Sequence, residues 1–122
     1  MREIVGSVTD PIETTATDWL TIPDVAELIG ETPGRVRRLL DERHLVAIRR
    51  DGILVVPSVF FVDAHPLSSL RGTFFVLADA GFSDDEAVQW LLDVEDSIGV
   101  APIEALRAGR KSEVRRVAQT LG

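Results

Sequence analysis

The stretch TPGRVRRLLDER, residues 32–43, decides how this sequence folds. Thr32 can cap a first turn. Pro33 suits the first helical position because its missing N–H would have gone unsatisfied there, and no breaker follows before Arg43. Val36, Leu39 and Leu40 stand at i, i+3 and i+4 and share one face. The opposite face carries Gly34, Arg35, Arg37 and Arg38, with Asp41 and Glu42 only toward the end. The spacing predicts a short helix, buried on one side and basic on the other. A DNA-reading helix has this arrangement, with guanidinium forks in reach of guanine edges or phosphates. A solvated charged face has it too, so the neighbouring segments must decide.

Upstream, Thr21-Ile22-Pro23-Asp24 is a capping signal, and Ile22, Val25, Ala26 and Ile29 fall at i, i+3, i+4 and i+7. This predicts an amphipathic helix to about Ile29, broken by Gly30-Glu31. Helix, glycine-containing turn, basic helix is the order of a helix-turn-helix. Downstream, β-branched runs at 45–49 and 53–56 flank Arg50-Asp51-Gly52, and Asp-Gly between two such runs signals a hairpin. Pro57 ends the second run, and residues 58–62 read as a helical turn closing the core. A hairpin placed here is a wing, expected to present Arg49 and Arg50 at its tip to a phosphate backbone or minor groove. Charges on an edge also block strand-to-strand aggregation.

The chain has 122 residues, 45% apolar, enough for one compact domain or two small modules sharing a core. It lacks cysteine, which excludes disulfides and thiolate zinc sites, and its two histidines make no convincing metal site. Short apolar runs and an N-terminus unlike a signal peptide predict a soluble cytoplasmic protein with no membrane partner. The net charge of −7 argues at first against nucleic acid, but its distribution matters more than its sum. Residues 1–31 hold one arginine against seven acidic residues; residues 35–50 hold six arginines against Asp41 and Glu42. One basic island stands in an acidic chain.

Residues 1–17 are polar and rich in threonine (Thr9, Thr14, Thr15, Thr17), and are expected to form a mostly flexible tail. The threonines are candidate phosphoacceptors, since phosphate there would add charge that repels DNA; an inert terminus is the alternative.

Residues 19–62, with "TIPDVAELIG", "TPGRVRRLL", "LVAIRRDG" and "VPSVFF" in that order, resemble the small winged helix-turn-helix modules of the MerR and excisionase type. The closest resemblance is to a family of small actinobacterial winged-helix DNA-binding proteins, one mycobacterial member of which is a serine/threonine kinase substrate. The resemblance implies binding of double-stranded DNA through the second helix and the wing, and brings in such a kinase as a candidate partner. MerR-type metal or small-molecule sensing is not implied, because the cysteines and the long dimerisation helix are absent.

The second half predicts four helices. The first spans about 70–80 and buries Leu70, Phe74, Leu77 and Ala78. Ser83-Asp84-Asp85-Glu86 opens the second as a capping box, with Ala87, Val88 and Leu91 inward and Trp90 nearby. Pro102 opens a third through Ala108. The last covers about 112–121, with Val114, Val117, Ala118 and Leu121 on one stripe and Arg115 and Arg116 facing away. Trp90-Leu91-Leu92, the acidic loop after it and residues 102–110, "PIEALRAGR", resemble the toxin-binding domain of the Xre/MbcA/ParS antitoxins, which implies a toxin-like protein partner. Those antitoxins carry an Xre-type helix-turn-helix where this chain has a winged one. Plain packing or dimerisation is the other reading of this half.

No G-x-S-x-G, P-loop or G-x-G-x-x-G is present, and Asp84, Asp85 and Glu86 cluster where a helix N-terminus favours carboxylates anyway. His44 reads as a partly buried connector or a phosphate contact, and His65 carries no signal. Neither enzymatic activity nor a cofactor is expected. The expected fold is mainly α with a small β-hairpin, a winged helix-turn-helix over 18–64 followed by a C-terminal helical bundle over 65–122. The expected function is DNA binding, as a transcriptional regulator or architectural factor. Arg35, Arg37 and Arg38 would meet the major groove or nearby phosphates, Arg49 and Arg50 would act at the wing, and Thr32 and Gly34 would hold a phosphate at the helix N-terminus. Arg43, at the edge of the buried face, is a lesser candidate. An antitoxin-like module binding a protein partner is the alternative. One reading helix binds weakly, so a homodimer or tandem binding is expected.

Overall fold

Thr21 is where a strand turns into a helix. In the computed structural model, which describes residues 17–122, β1 (Trp19–Thr21) runs directly into α1 (Ile22–Ile29). Thr21 keeps an extended backbone while its hydroxyl oxygen accepts from the Asp24 N–H at 3.3 Å, and its own N–H donates to the Asp24 carboxylate at 3.0 Å. Gly30, at φ +70°, ends α1 in the left-handed conformation that glycine adopts without strain. α2 (Pro33–Asp41) follows, and Val25, Ala26, Val36 and Leu39 bury the seam of the helix-turn-helix.

The wing is a hairpin of β2 (Ile48–Arg50) and β3 (Ile53–Pro57), joined by Asp51-Gly52 with both residues at positive φ, +53° and +80°. These are the dihedrals of a type I′ turn, whose twist matches that of the strands. The first strand is shorter than its β-branched run, because Leu45 and Val46 are buried and enter the core ahead of it. β3 is the central strand: β1 pairs with it on the other side, Leu20 opposite Val56, so the sheet order is β1-β3-β2. The stretch read as one helical turn splits in two. Ser58–Phe60 forms a 3₁₀ turn, after which β4 (Phe61–Val62) turns back on β5 (His65–Pro66).

Four helices complete the described residues, α3 (Leu70–Asp79), α4 (Asp84–Leu92), α5 (Pro102–Arg107) and α6 (Lys111–Gln119). α3 packs on α6 and on α4, and α5 bridges α4 and α6. The fold is mainly α, a winged helix-turn-helix followed by a helical C-terminal region, with six α-helices among the described residues. Both halves share one core, and Phe60 meets Phe74 edge to face at 5.9 Å.

Three expected positions differ. Ala78 is exposed and Thr73 is buried in its stead, tolerated there because its hydroxyl donates to the Ser69 carbonyl at 2.8 Å. Leu121 lies beyond the end of α6 and is exposed. Arg115 does not face away. Its Nη2 donates to the Ser69 carbonyl at 2.9 Å and its Nε to Thr73 Oγ1 at 3.2 Å. Glycine at position 72 leaves the space for this, since a Cβ there would stand 2.6 Å from Arg115 Nη2.

This difference between neighbouring arginines is measurable by urea denaturation. Arg115→Ala removes two donors from part-buried acceptors and should cost about 1–3 kcal/mol of stability. Arg116→Ala, an exposed position, should change it by less than about 0.5 kcal/mol. Equal costs would mean that Arg115 does not fasten α6 to α3.

Candidate nucleic-acid interface

The outer face of α2 is a row of exposed cations. Arg35, Arg37 and Arg38 are exposed, and among the described residues their side chains form no ion pair or hydrogen bond. Val36 and Leu39 take the buried face and leave the arginines outward, and although Asp41 and Glu42 each stand three or four residues from Arg37 or Arg38, they make no ion pair with them. Thr32 caps the helix, its hydroxyl oxygen accepting from the Arg35 N–H at 3.1 Å, so its own proton remains for an outside acceptor. Gly34, in the same first turn, is exposed.

Arg49 and Arg50 are both exposed, but successive residues of a strand point to opposite faces. Arg49 pairs with Leu54, which lines a cleft with Arg37 and Leu40 of α2. Its Nη1 donates to the Gly52 carbonyl at 3.1 Å, folding the side chain along the turn. Arg50 lies on the other face, its guanidinium 4.5 Å from the centre of the Trp19 ring, beside Gln89 of α4 and the Asp93 that caps its end. The α2 row and Arg49 thus share a side of the molecule, and Arg50 does not.

The rest of the basic island is occupied. Arg43, at φ +68°, turns the chain out of α2 and makes a two-pronged ion pair with Asp84 at 3.0 and 3.2 Å. Arg71 Nε donates to the Glu42 carbonyl at 2.8 Å, satisfying an end group of α2 from the C-terminal half. His44 is exposed rather than partly buried, 3.7 Å from Glu42. Neither Arg71 nor Asp84 carries a sequence signal for this role, because each lies about 30 residues or more from its partner along the chain. Of the candidate phosphoacceptors, Thr17 is half-buried at the mouth of β1, and Thr9, Thr14 and Thr15 lie outside the described residues.

Residues 8–61 match the family described as DNA-binding protein Rv2175c, wHTH domain. Residues 67–122 match the Rv2175c C-terminal domain of unknown function. The DNA-binding protein Rv2175c of Mycobacterium tuberculosis (strain ATCC 25618 / H37Rv) is 36% identical over 127 residues, spanning 93% of this chain and 84% of that protein. The NMR structure of Rv2175c superposes with a TM-score of 0.78 at 34% identity, with the same coverage of each chain, 93% and 84%.

The arginines at the two edges of α2 should separate in a stability measurement. Arg43→Ala loses its partly exposed pair with Asp84 and should cost about 0.5–1 kcal/mol. Arg37→Ala and Arg38→Ala should each stay within about 0.5 kcal/mol of the parent in chemical denaturation, and a larger loss would make them structural.

Proposed function

Because this chain belongs to the Rv2175c family of DNA-binding proteins, we propose that it binds double-stranded DNA by laying α2 in the major groove, and that it serves as a transcriptional regulator or architectural factor. The family is one of DNA-binding proteins, not of enzymes. The observation that carries the reading is the row Arg35, Arg37 and Arg38, three exposed guanidinium groups without partners among the described residues, on the capped helix of a winged helix-turn-helix. In a chain of net charge −7, leaving these cations unpaired beside abundant carboxylates has a physical reason if phosphate is their partner.

Arg37 and Arg38 meet base edges or the flanking phosphates. Thr32 and Gly34 offer a hydroxyl and a backbone N–H to a phosphate at the positive end of the helix. Arg49 adds a phosphate contact from the wing on the same side. Arg50, held over Trp19, fixes the wing and adds to the field. Phosphate placed on an N-terminal threonine by a serine/threonine kinase would weaken binding by adding negative charge. A single reading helix also favours two copies on one site. Among the described residues no helix is long and apolar enough to cross a membrane, and a cytoplasmic location fits the DNA-binding role.

Fluorescence anisotropy on a random duplex, titrated with salt, tests the reading. Affinity should fall steeply with salt, and the Arg37→Ala/Arg38→Ala double variant should flatten the log–log slope by about 2, each lost arginine releasing about one fewer counterion. No binding at low salt, or an unchanged slope in the variant, would overturn it.

A further inference from the structure

The C-terminal half carries a second surface, of opposite character. Residues 72–106 contain eight acidic residues and no lysine or arginine. Within them, Glu86, Gln89 and Trp90 of α4 and its C-cap residue Asp93 stand at i, i+3, i+4 and i+7 along one outer stripe, opposite the buried Ala87, Val88 and Leu91. Between this stripe and the α3–α4 turn lies an open groove of about 420 Å³ with Ala80, Phe82 and Trp90 as its floor. Phe82 and Trp90 meet edge to face, 6.3 Å between centroids. No residue of the winged helix-turn-helix lines it, although Gln89 and Asp93 at its rim also border Arg50 and Trp19 on their other side.

The polar groups around this floor are held in place. Glu86 Oε1 accepts from the Ser83 N–H at 2.9 Å, and hydrogen bonds from Ser83 keep the Glu86 carboxyl below its usual range and therefore ionised. Asp93 Oδ1 accepts from Gln89 Nε2 at 2.8 Å. Trp90 Nε1 donates to Glu95 Oε1 at 3.1 Å, which orients the indole. Aromatic faces between fixed carboxylates suit a cation on an apolar stem: the methylenes lie on the rings and the charged head reaches a carboxylate. Fixed side chains also lose less freedom on binding. Nucleic acid and anionic lipid are repelled from the same surface.

We propose that this groove docks a basic segment of a partner protein, one arginine or lysine meeting Glu86, a second meeting Asp93, and an apolar residue between them resting on Trp90. Glu86 and Asp93 are seven helical residues apart, about 10 Å along the axis. Three residues of polyproline II chain, one full turn at about 3.1 Å per residue, span about 9 Å and return to the same face, so the matching segment reads basic-x-x-basic. A second copy of this chain is the poorer occupant, since its unpaired arginines sit on α2 and two bodies of net charge −7 repel. The proposal stands apart from the DNA-binding reading and would let the protein hold a partner while α2 is engaged.

The test uses the full ¹⁵N-labelled chain, whose two indole N–H signals are assigned with Trp19→Phe. The probe is the peptide acetyl-Ala-Arg-Leu-Ala-Arg-Ala-amide, with a citrulline-for-arginine peptide as its uncharged control. The Trp90 indole signal should shift saturably with the arginine peptide. Binding should weaken at least about tenfold with the citrulline peptide, and likewise in Glu86→Gln/Asp93→Asn, which keeps the helix cap but removes both charges. The Arg37→Ala/Arg38→Ala variant should bind the peptide as the parent does, which separates this site from the DNA surface. No Trp90 shift at millimolar peptide, equal binding of the citrulline peptide, or undiminished binding by the charge-removed variant would overturn the proposal. So would a salt-sensitive Trp90 shift on concentrating the protein alone, which would assign the groove to a second copy.

Discussion

Phe60 against Phe74 joins a wing exit to the first helix of the C-terminal half, and the rest of the structure depends on that contact. A winged helix-turn-helix of this size buries only a modest share of its own surface and is marginal by itself. Here Val56, Phe60 and Phe61 continue without a break into Leu70, Phe74 and Leu77. The two halves therefore share a core, and α4 lies beside β2 at the edge of the wing sheet. That placement covers an edge strand that would otherwise offer unpaired backbone groups to other chains.

The arginines divide by task according to what surrounds them. Arg107 donates to the Val59 and Phe61 carbonyls at 2.9 and 2.7 Å, Arg71 to Glu42, Arg115 to Ser69, and Arg43 grips Asp84. Each ties one half or one helix to another through the planar fork that lysine lacks. Arg35, Arg37 and Arg38 tie nothing together among the described residues, which is why the surface they form can be given to an outside anion. An arginine count alone does not distinguish these tasks, because the distinction lies in which acceptor the folded chain brings within 3 Å.

Where local chemistry decides the structure, the sequence was readable. The Thr21, Thr32 and Ser83 caps, the Gly30 stop, the Asp51-Gly52 turn and the buried stripe of α4 all follow from interactions within four residues, and they appear where the spacing puts them. The misses that matter most for the architecture are non-local. Trp19-Leu20 gains strand character only by pairing with Pro57 and Val56. Arg115 turns inward because Thr73, 42 residues away, offers an acceptor and Gly72 offers room. The exposed row on α2 was legible from periodicity, whereas the separation of Arg49 from Arg50 required the strand register. The clamp of Asp84 and Arg71 on the end of α2 required the docking of the second half.

Charge is segregated in this molecule, and segregation changes what a net charge of −7 means. If α2 and the wing meet DNA as proposed, the acidic remainder of the surface opposes a duplex that approaches in other orientations and acts as an orienting field rather than as a bar to binding. The arrangement has a cost in affinity, since like charges elsewhere oppose the approach of phosphates at distances within the Debye length. It also has a use: with the cations of α2 turned to one ligand, the carboxylates of α4 remain available to a ligand of the opposite sign. The ion pair between Arg43, just past the end of α2, and Asp84, at the start of α4, neutralises one charge of each sign between the two helices.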